Sequence, residues 1–110
     1  MIDETIQQIE ALIQQADALP SRRRAELLAL LGKLKTEAND LAQTHQTQAQ
    51  DIVSFAQTSA YAATQEGLDP ERLKTSTDRL RRSVAVFEKS HPQLAQVVNT
   101  ISTVLSNSGI

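Results

Sequence analysis

Apolar residues recur along most of this chain at alternating intervals of four and three, the rhythm of helices that pack along a seam. Ile2, Ile6, Ile9, Ile13 and Ala16 open the series. The spacing predicts a first helix over about residues 3–18, with Asp3 placed to accept hydrogen bonds from the free amides of its first turn. Leu19-Pro20-Ser21 ends it, because a proline keeps the residue before it out of the helical region. Ser21 can then cap the helix that follows, and so short a connection makes the two helices antiparallel neighbours.

From Ser21 to Glu66 only Gly32 interrupts the supply of helix-compatible residues. Leu27, Leu31, Leu34, Ala38, Leu41, His45, Gln48, Ile52, Phe55, Ser59 and Ala62 keep the rhythm throughout. The pattern predicts one central helix over about residues 21–66, roughly 65–70 Å long at 1.5 Å per residue. The polar run Thr44 to Gln50 is the place where it can bend. Gly67 supplies the left-handed residue that closes such a helix, and Leu68 can fold back on Ala62 or Ala63.

Asp69-Pro70-Glu71 combines an N-cap, a proline at the first helical position and an acid in the first turn. It starts a helix over about 70–90, carrying Leu73, Thr77, Leu80, Val84 and Phe87. At Ser90-His91-Pro92-Gln93 the S-x-x-Q pattern reads as a capping box for a last helix over about 91–107, and Pro92 removes a hydrogen bond to Glu88. The seam passes through this break without resetting, by way of His91, Leu94, Val98, Ile101 and Leu105. The two segments are therefore expected to form one kinked rod that folds back on the central helix and sets His45 at the level of His91. Gly109 and Ile110 fit the end of a Schellman motif, with Ile110 against Leu105.

The fold class is all-α, a coiled-coil-like antiparallel bundle in a single domain, residues 1–110. Residues 1–45 and 91–110 make a three-helix part, and residues 46–90 a distal hairpin that the first helix is too short to cover. A second stripe, Ala49, Val53, Ala56, Ala60 and Ala63, lies one residue after the first. Two adjacent stripes give a wide apolar face whose small side chains permit close helix approach. Burying that face against a second copy predicts a homodimer with a distal four-helix bundle.

Composition agrees with this picture and narrows it. Apolar residues make up 40% of the chain, yet the aromatics are only Phe55, Tyr61 and Phe87, so the core is aliphatic. Without cysteine there is no disulfide frame, thiolate metal site or cysteine nucleophile. The first twenty residues hold no basic residue, which argues against an ordinary signal peptide. No long apolar window suggests a membrane span, and the expected location is cytoplasmic. Charge falls in blocks: −4 over residues 1–20, +4 over 21–35, −5 over 36–70, +3 over 71–90, and no charged side chain over 91–110. An uncharged final helix predicts burial between other helices.

Candidate chemistry is sparse. His45 and His91 are the two histidines, too few for a closed zinc site, and are read as a polar layer that fixes register. Arg22, Arg23 and Arg24 with Lys33 and Lys35, and separately Arg79, Arg81 and Arg82, could meet phosphates. A negative net charge and the lack of interleaved aromatics argue against nucleic acid, and a membrane surface is equally disfavoured. No P-loop, dinucleotide fingerprint, zinc-protease helix or nucleophile elbow is present, so no catalytic, cofactor-binding or metal-binding residue is assigned. Ser90 beside His91 reads as a turn, with Ser90, Pro92, Gly109 and Ile110 as capping residues.

The block F-E-K-S-H-P-Q-L at 87–94, followed by L-S-N-S-G-I at 105–110, resembles the C-terminal signature of a family of short, uncharacterised bacterial proteins classed as a domain of unknown function. The resemblance implies an N-terminal helical hairpin followed by this element, with a longer middle here between Thr44 and Gly67. It implies no activity and no functional residues. The expected role is that of a non-enzymatic dimeric helical protein that acts through protein association, as an interaction module or small scaffold. The alternative is a regulatory binder of nucleic acid or an anionic membrane surface through Arg22–Arg24 and Arg79–Arg82.

Overall fold

The computed structural model describes residues 1–17, 19–64 and 69–108, and over them the chain forms five helices: α1 (Ile2–Gln15), α2 (Ser21–Ala42), α3 (Gln46–Thr64), α4 (Pro70–Ala85) and α5 (Pro92–Ser108). Met1 rather than Asp3 occupies the N-cap of α1, and the Asp3 carboxylate instead accepts a 2.8 Å hydrogen bond from Asn39 Nδ2 on α2. Ser21 is the first residue of α2 and Pro20 its N-cap, without a side-chain cap. At α4 the local signal is realised: the Asp69 carboxylate accepts from the amides of Glu71 and Arg72 at 3.0 and 3.4 Å, ahead of Pro70 at the helix start.

The single central helix expected over 21–66 is two helices. The chain turns at Gln43-Thr44-His45, where the amides of Gln43, Thr44 and His45 bond back to Asp40 and Leu41. Cross-helix hydrogen bonds show how far it turns. Asn39 meets Asp3, then Gln50 Nε2 donates to Thr5 Oγ1 at 3.2 Å and Gln57 Nε2 to Gln8 Oε1 at 2.7 Å. Thus α3 runs along α1 in the same sense while α2 runs against both. The longest dimension is 38 Å, too short for an unbroken 21–66 helix.

The kinked rod is likewise a hairpin. Arg81 Nη2 donates to Thr103 Oγ1 at 3.2 Å and Ser106 Oγ lies 3.4 Å from Thr77 Oγ1, so α4 and α5 lie antiparallel side by side. A heptad seam keeps its spacing through either arrangement. The result is an up-and-down bundle in which α3 touches all four other helices and α1 touches α2 and α3.

This topology removes the bare distal hairpin. Ala49, Val53, Ala56 and Ala60 are buried within the one chain, and Ala63 packs half-buried against the same core. The stripe assigned to a dimer interface is the surface by which α3 meets its own neighbours, α1 among them. Burial of α5 is one-sided: Leu94, Val98, Ile101 and Leu105 are interior, while Gln93, Gln96, Thr100, Thr103 and Asn107 face solvent. The Gly67 and Leu68 turn and the Gly109 and Ile110 cap lie outside the described residues.

Among the described residues, close packing around α3 leaves two buried polar atoms without a hydrogen-bond partner, Gln50 Oε1 and the hydroxyl of the fully buried Ser59. Ser59→Ala removes that hydroxyl at almost constant volume and is expected to raise stability by about 1 kcal/mol. Ala56→Leu, three residues away, is expected to lower it by about 1–3 kcal/mol, because added carbons would push the surrounding helices apart. Thermal and denaturant melts of the two variants check the opposite signs.

Candidate functional site

Three places in the fold gather the histidines, the arginines and the polar face of the last helix. The first is the end of the bundle where both reversals lie. Thr44 Oγ1 is 2.8 Å from His45 Nδ1, and Ser90 Oγ is 3.0 Å from His91 Nδ1. Each histidine amide bonds to a carbonyl four residues back, and each histidine carbonyl accepts the first amide bond of the next helix, from Ala49 and Ala95. The same hydroxyl-histidine device thus closes one helix and opens another twice. Pro92 is the first residue of α5 as expected, but the N-cap position falls at His91, one residue beyond Ser90, and the Ser90 hydroxyl is directed to the imidazole.

Phe87 sits between the two rings, edge-on to His45 at 5.3 Å and to His91 at 6.1 Å between centroids. The two histidines do share one level, joined through an aromatic ring rather than stacked in the seam. His91 Nε2 also lies 3.8 Å from Asp40 Oδ2 at the end of α2. Among the described residues, no group of three or more histidines and acids is close enough to hold a metal ion.

The second place is the first arginine cluster, which divides by function. Arg24 reaches from α2 to the end of α1, donating from Nε to the Ile13 carbonyl at 3.2 Å and from Nη2 to the Ala16 carbonyl at 2.6 Å. A cation thereby meets the negative end of a helix that has no basic residue in its own last turn. Arg22 is exposed and Arg23 half-buried beside Glu26, along a groove against Asn99, Thr103 and Asn107. Arg81, from the second cluster, bonds Thr103 on that same groove and pairs with Asp78 at 3.7 Å. Two clusters far apart in sequence therefore approach one helix.

That helix is the third place, and its outer face was missed in the sequence. Gln93, Gln96, Thr100, Thr103 and Asn107 are all exposed, repeat at intervals of three and four, and include no charge. The groove beside them continues along α2 past Leu30, Gly32, Lys33 and Glu37. A Cβ built on Gly32 would meet nothing within 4 Å, so no internal contact requires glycine there. The signal was available, since amide and hydroxyl residues occupy the positions opposite the apolar stripe of the last helix.

Fold and surface together define the class: an all-α five-helix bundle whose distinctive surface is an uncharged helix face bordered by charged residues of its neighbour. The chain belongs to the family described as a domain of unknown function (DUF4404), which matches residues 27–110 and so takes in both reversals and all of α5. Comparison with curated proteins and with solved structures gives no significant match.

Replacing Arg24 by Met keeps most of its aliphatic bulk but leaves the Ile13 and Ala16 carbonyls without the cation. The expected cost is about 1–2 kcal/mol, seen as a lower melting temperature. Arg22→Met, which touches neither carbonyl, should stay within about 0.5 kcal/mol of the unaltered protein.

Proposed function

We propose that this protein acts by association with protein, as a non-enzymatic interaction module or small scaffold. The observation that carries this reading is the solvent face of α5. Exposed faces of α1, α2 and α4 all carry charged side chains, whereas Gln93, Gln96, Thr100, Thr103 and Asn107 carry none. Depletion of charged side chains characterises the centre of surface that becomes covered by another protein. The half-buried Leu30, the exposed Ala29 and the open space at Gly32 extend the same surface onto α2. A cytoplasmic location belongs to this reading. Among the described residues, no helix is long and apolar enough to cross a membrane.

A second reading, a polyanion binder, has one observation in its favour: Arg22, Arg23 and Arg81 converge on the Thr103 end of the groove. Against it, Arg24 is held by main-chain carbonyls and Glu26 stands among the remaining arginines. The two readings separate on salt. Three phosphate contacts lose affinity by roughly 40-fold between about 50 and 200 mM salt.

The test is a comparison of cross-linked partners between the tagged full chain and a Gln96→Glu, Thr100→Glu variant whose helicity is unchanged. Proteins held by the unaltered chain and lost from the variant are the expected result. Identical partner sets would remove α5 from the reading, and binding dominated by salt-sensitive nucleic acid would favour the alternative.

A further inference from the structure

We infer that the α2–α5 face is homotypic, with a second copy of this chain docked on it across a two-fold axis beside Thr100. This rests on the association reading and names the partner. One surface carries the exposed stripe of α5 and charged side chains of α2 side by side. The exposed stripe of α5 stands as a ridge beside the groove that α5 makes with α2. A two-fold axis perpendicular to α5 at Thr100 lays the stripe of one copy along that of the other and sets α2 opposite the partner's α2, so one patch supplies both halves of the contact.

A residue on a two-fold axis meets its own copy, and any charge there meets its own sign. Only groups that both donate and accept hydrogen bonds are complementary to themselves, as amides and hydroxyls are. Rotation about Thr100 sets Gln93 near the partner's Asn107 and Gln96 near the partner's Thr103. Every position on the stripe thus meets a group with which it can exchange hydrogen bonds.

Charges on α2 follow an order that the same axis makes complementary. That helix runs against α5: Arg22 and Glu26 border the Thr103 end, Lys33 and Glu37 border the Gln93 end, and Asp40 lies against His91. The same rotation brings Arg22 to the level of the partner's Glu37, and Glu26 to the level of the partner's Lys33. Both pairs unite opposite signs, twice over by symmetry. A polyanion would need one sign along the groove, and Glu26 and Glu37 would repel it. Between these charges lie Ala29, Leu30 and Val97, small or aliphatic, with Gly32 leaving the groove wall low for a close approach. Apolar centre and charged rim follow the usual layout of a protein interface.

The experiment is sedimentation of the full chain up to about 100 μM, because association follows mass action, with circular dichroism as the check on folding. The unaltered protein is expected as a dimer. Thr100→Arg places like charges face to face at an exposed position and should raise the dimer dissociation constant by about tenfold or more. Arg22→Glu and Glu37→Arg should each weaken the dimer, and the two together should restore it, since the double exchange regenerates both pairs with reversed polarity. A folded monomer at all concentrations overturns the inference, and if partner capture is still lost from the α5 variant the association reading survives without it. A dimer indifferent to Thr100→Arg and to the charge exchange also overturns it, by placing self-association on another surface. Salt-sensitive binding of single-stranded DNA by a monomeric chain, abolished by Arg22→Glu, would overturn both.

Discussion

The small side chains of α3 are the constraint on which the rest of the structure depends. One helix can touch four others only where much of its own surface is thin, and α3 presents Ala49, Val53, Ala56, Ser59 and Ala60, with the larger Ile52, around its buried circumference. Its neighbours supply the volume. Ile6, Ile9 and Ile13 of α1, Leu27, Leu31 and Leu34 of α2, Leu80 of α4, and Leu94 and Leu105 of α5 are almost wholly buried. Large aliphatic groups around a thin axis fill an interior that holds very few aromatic rings. The wide double stripe in the middle of the sequence is the imprint of a central helix surrounded by its own chain, and the same imprint resembles an unpaired dimer face.

Crowding around α3 forces tight connections, and these explain the arrangement of Phe87 and the histidines. α3 must reverse directly out of α2, and α5 directly out of α4, at the same end of the bundle. Each reversal is made by a hydroxyl residue and a histidine whose backbone serves both helices, leaving the imidazole at the surface end of the core. Phe87 closes the gap between the two turns and remains nearly buried although it lies at the end of the molecule. Its neighbours are thus accounted for as end-closing groups.

Legibility in the sequence followed the range of the interaction. The caps that depend on a few consecutive residues were readable: Asp69-Pro70 start a helix, and Pro20 separates two. The all-α class and almost every buried position followed from periodicity, because burial obeys the same spacing whichever neighbour provides it. Direction did not follow. A seam of fours and threes passes through a tight reversal in phase, and Gln43-Thr44-His45 contains neither glycine nor proline to mark the turn, so α2 and α3 read as one helix and α4 and α5 as one rod. Arg24 was unreadable for a related reason: its partners are main-chain carbonyls of another helix, and carbonyls leave no trace in a sequence.

The uncharged last helix shows where pattern and structure complement each other. Burial accounts for the absence of charge along Leu94, Val98, Ile101 and Leu105, and it cannot account for the opposite face, which is open to water. Helical propensity gives no reason either, since lysine, glutamate and arginine favour a helix more than the threonine and asparagine found there. Solubility also favours charge at exposed sites. Every requirement of the isolated chain therefore points towards charged residues at positions where none occurs, while the adjacent face of α2 carries charges of both signs in alternation. The proposed homotypic contact would supply the restriction that the isolated chain lacks, since neutral, two-way hydrogen-bonding groups are the side chains that a contact with like surface requires.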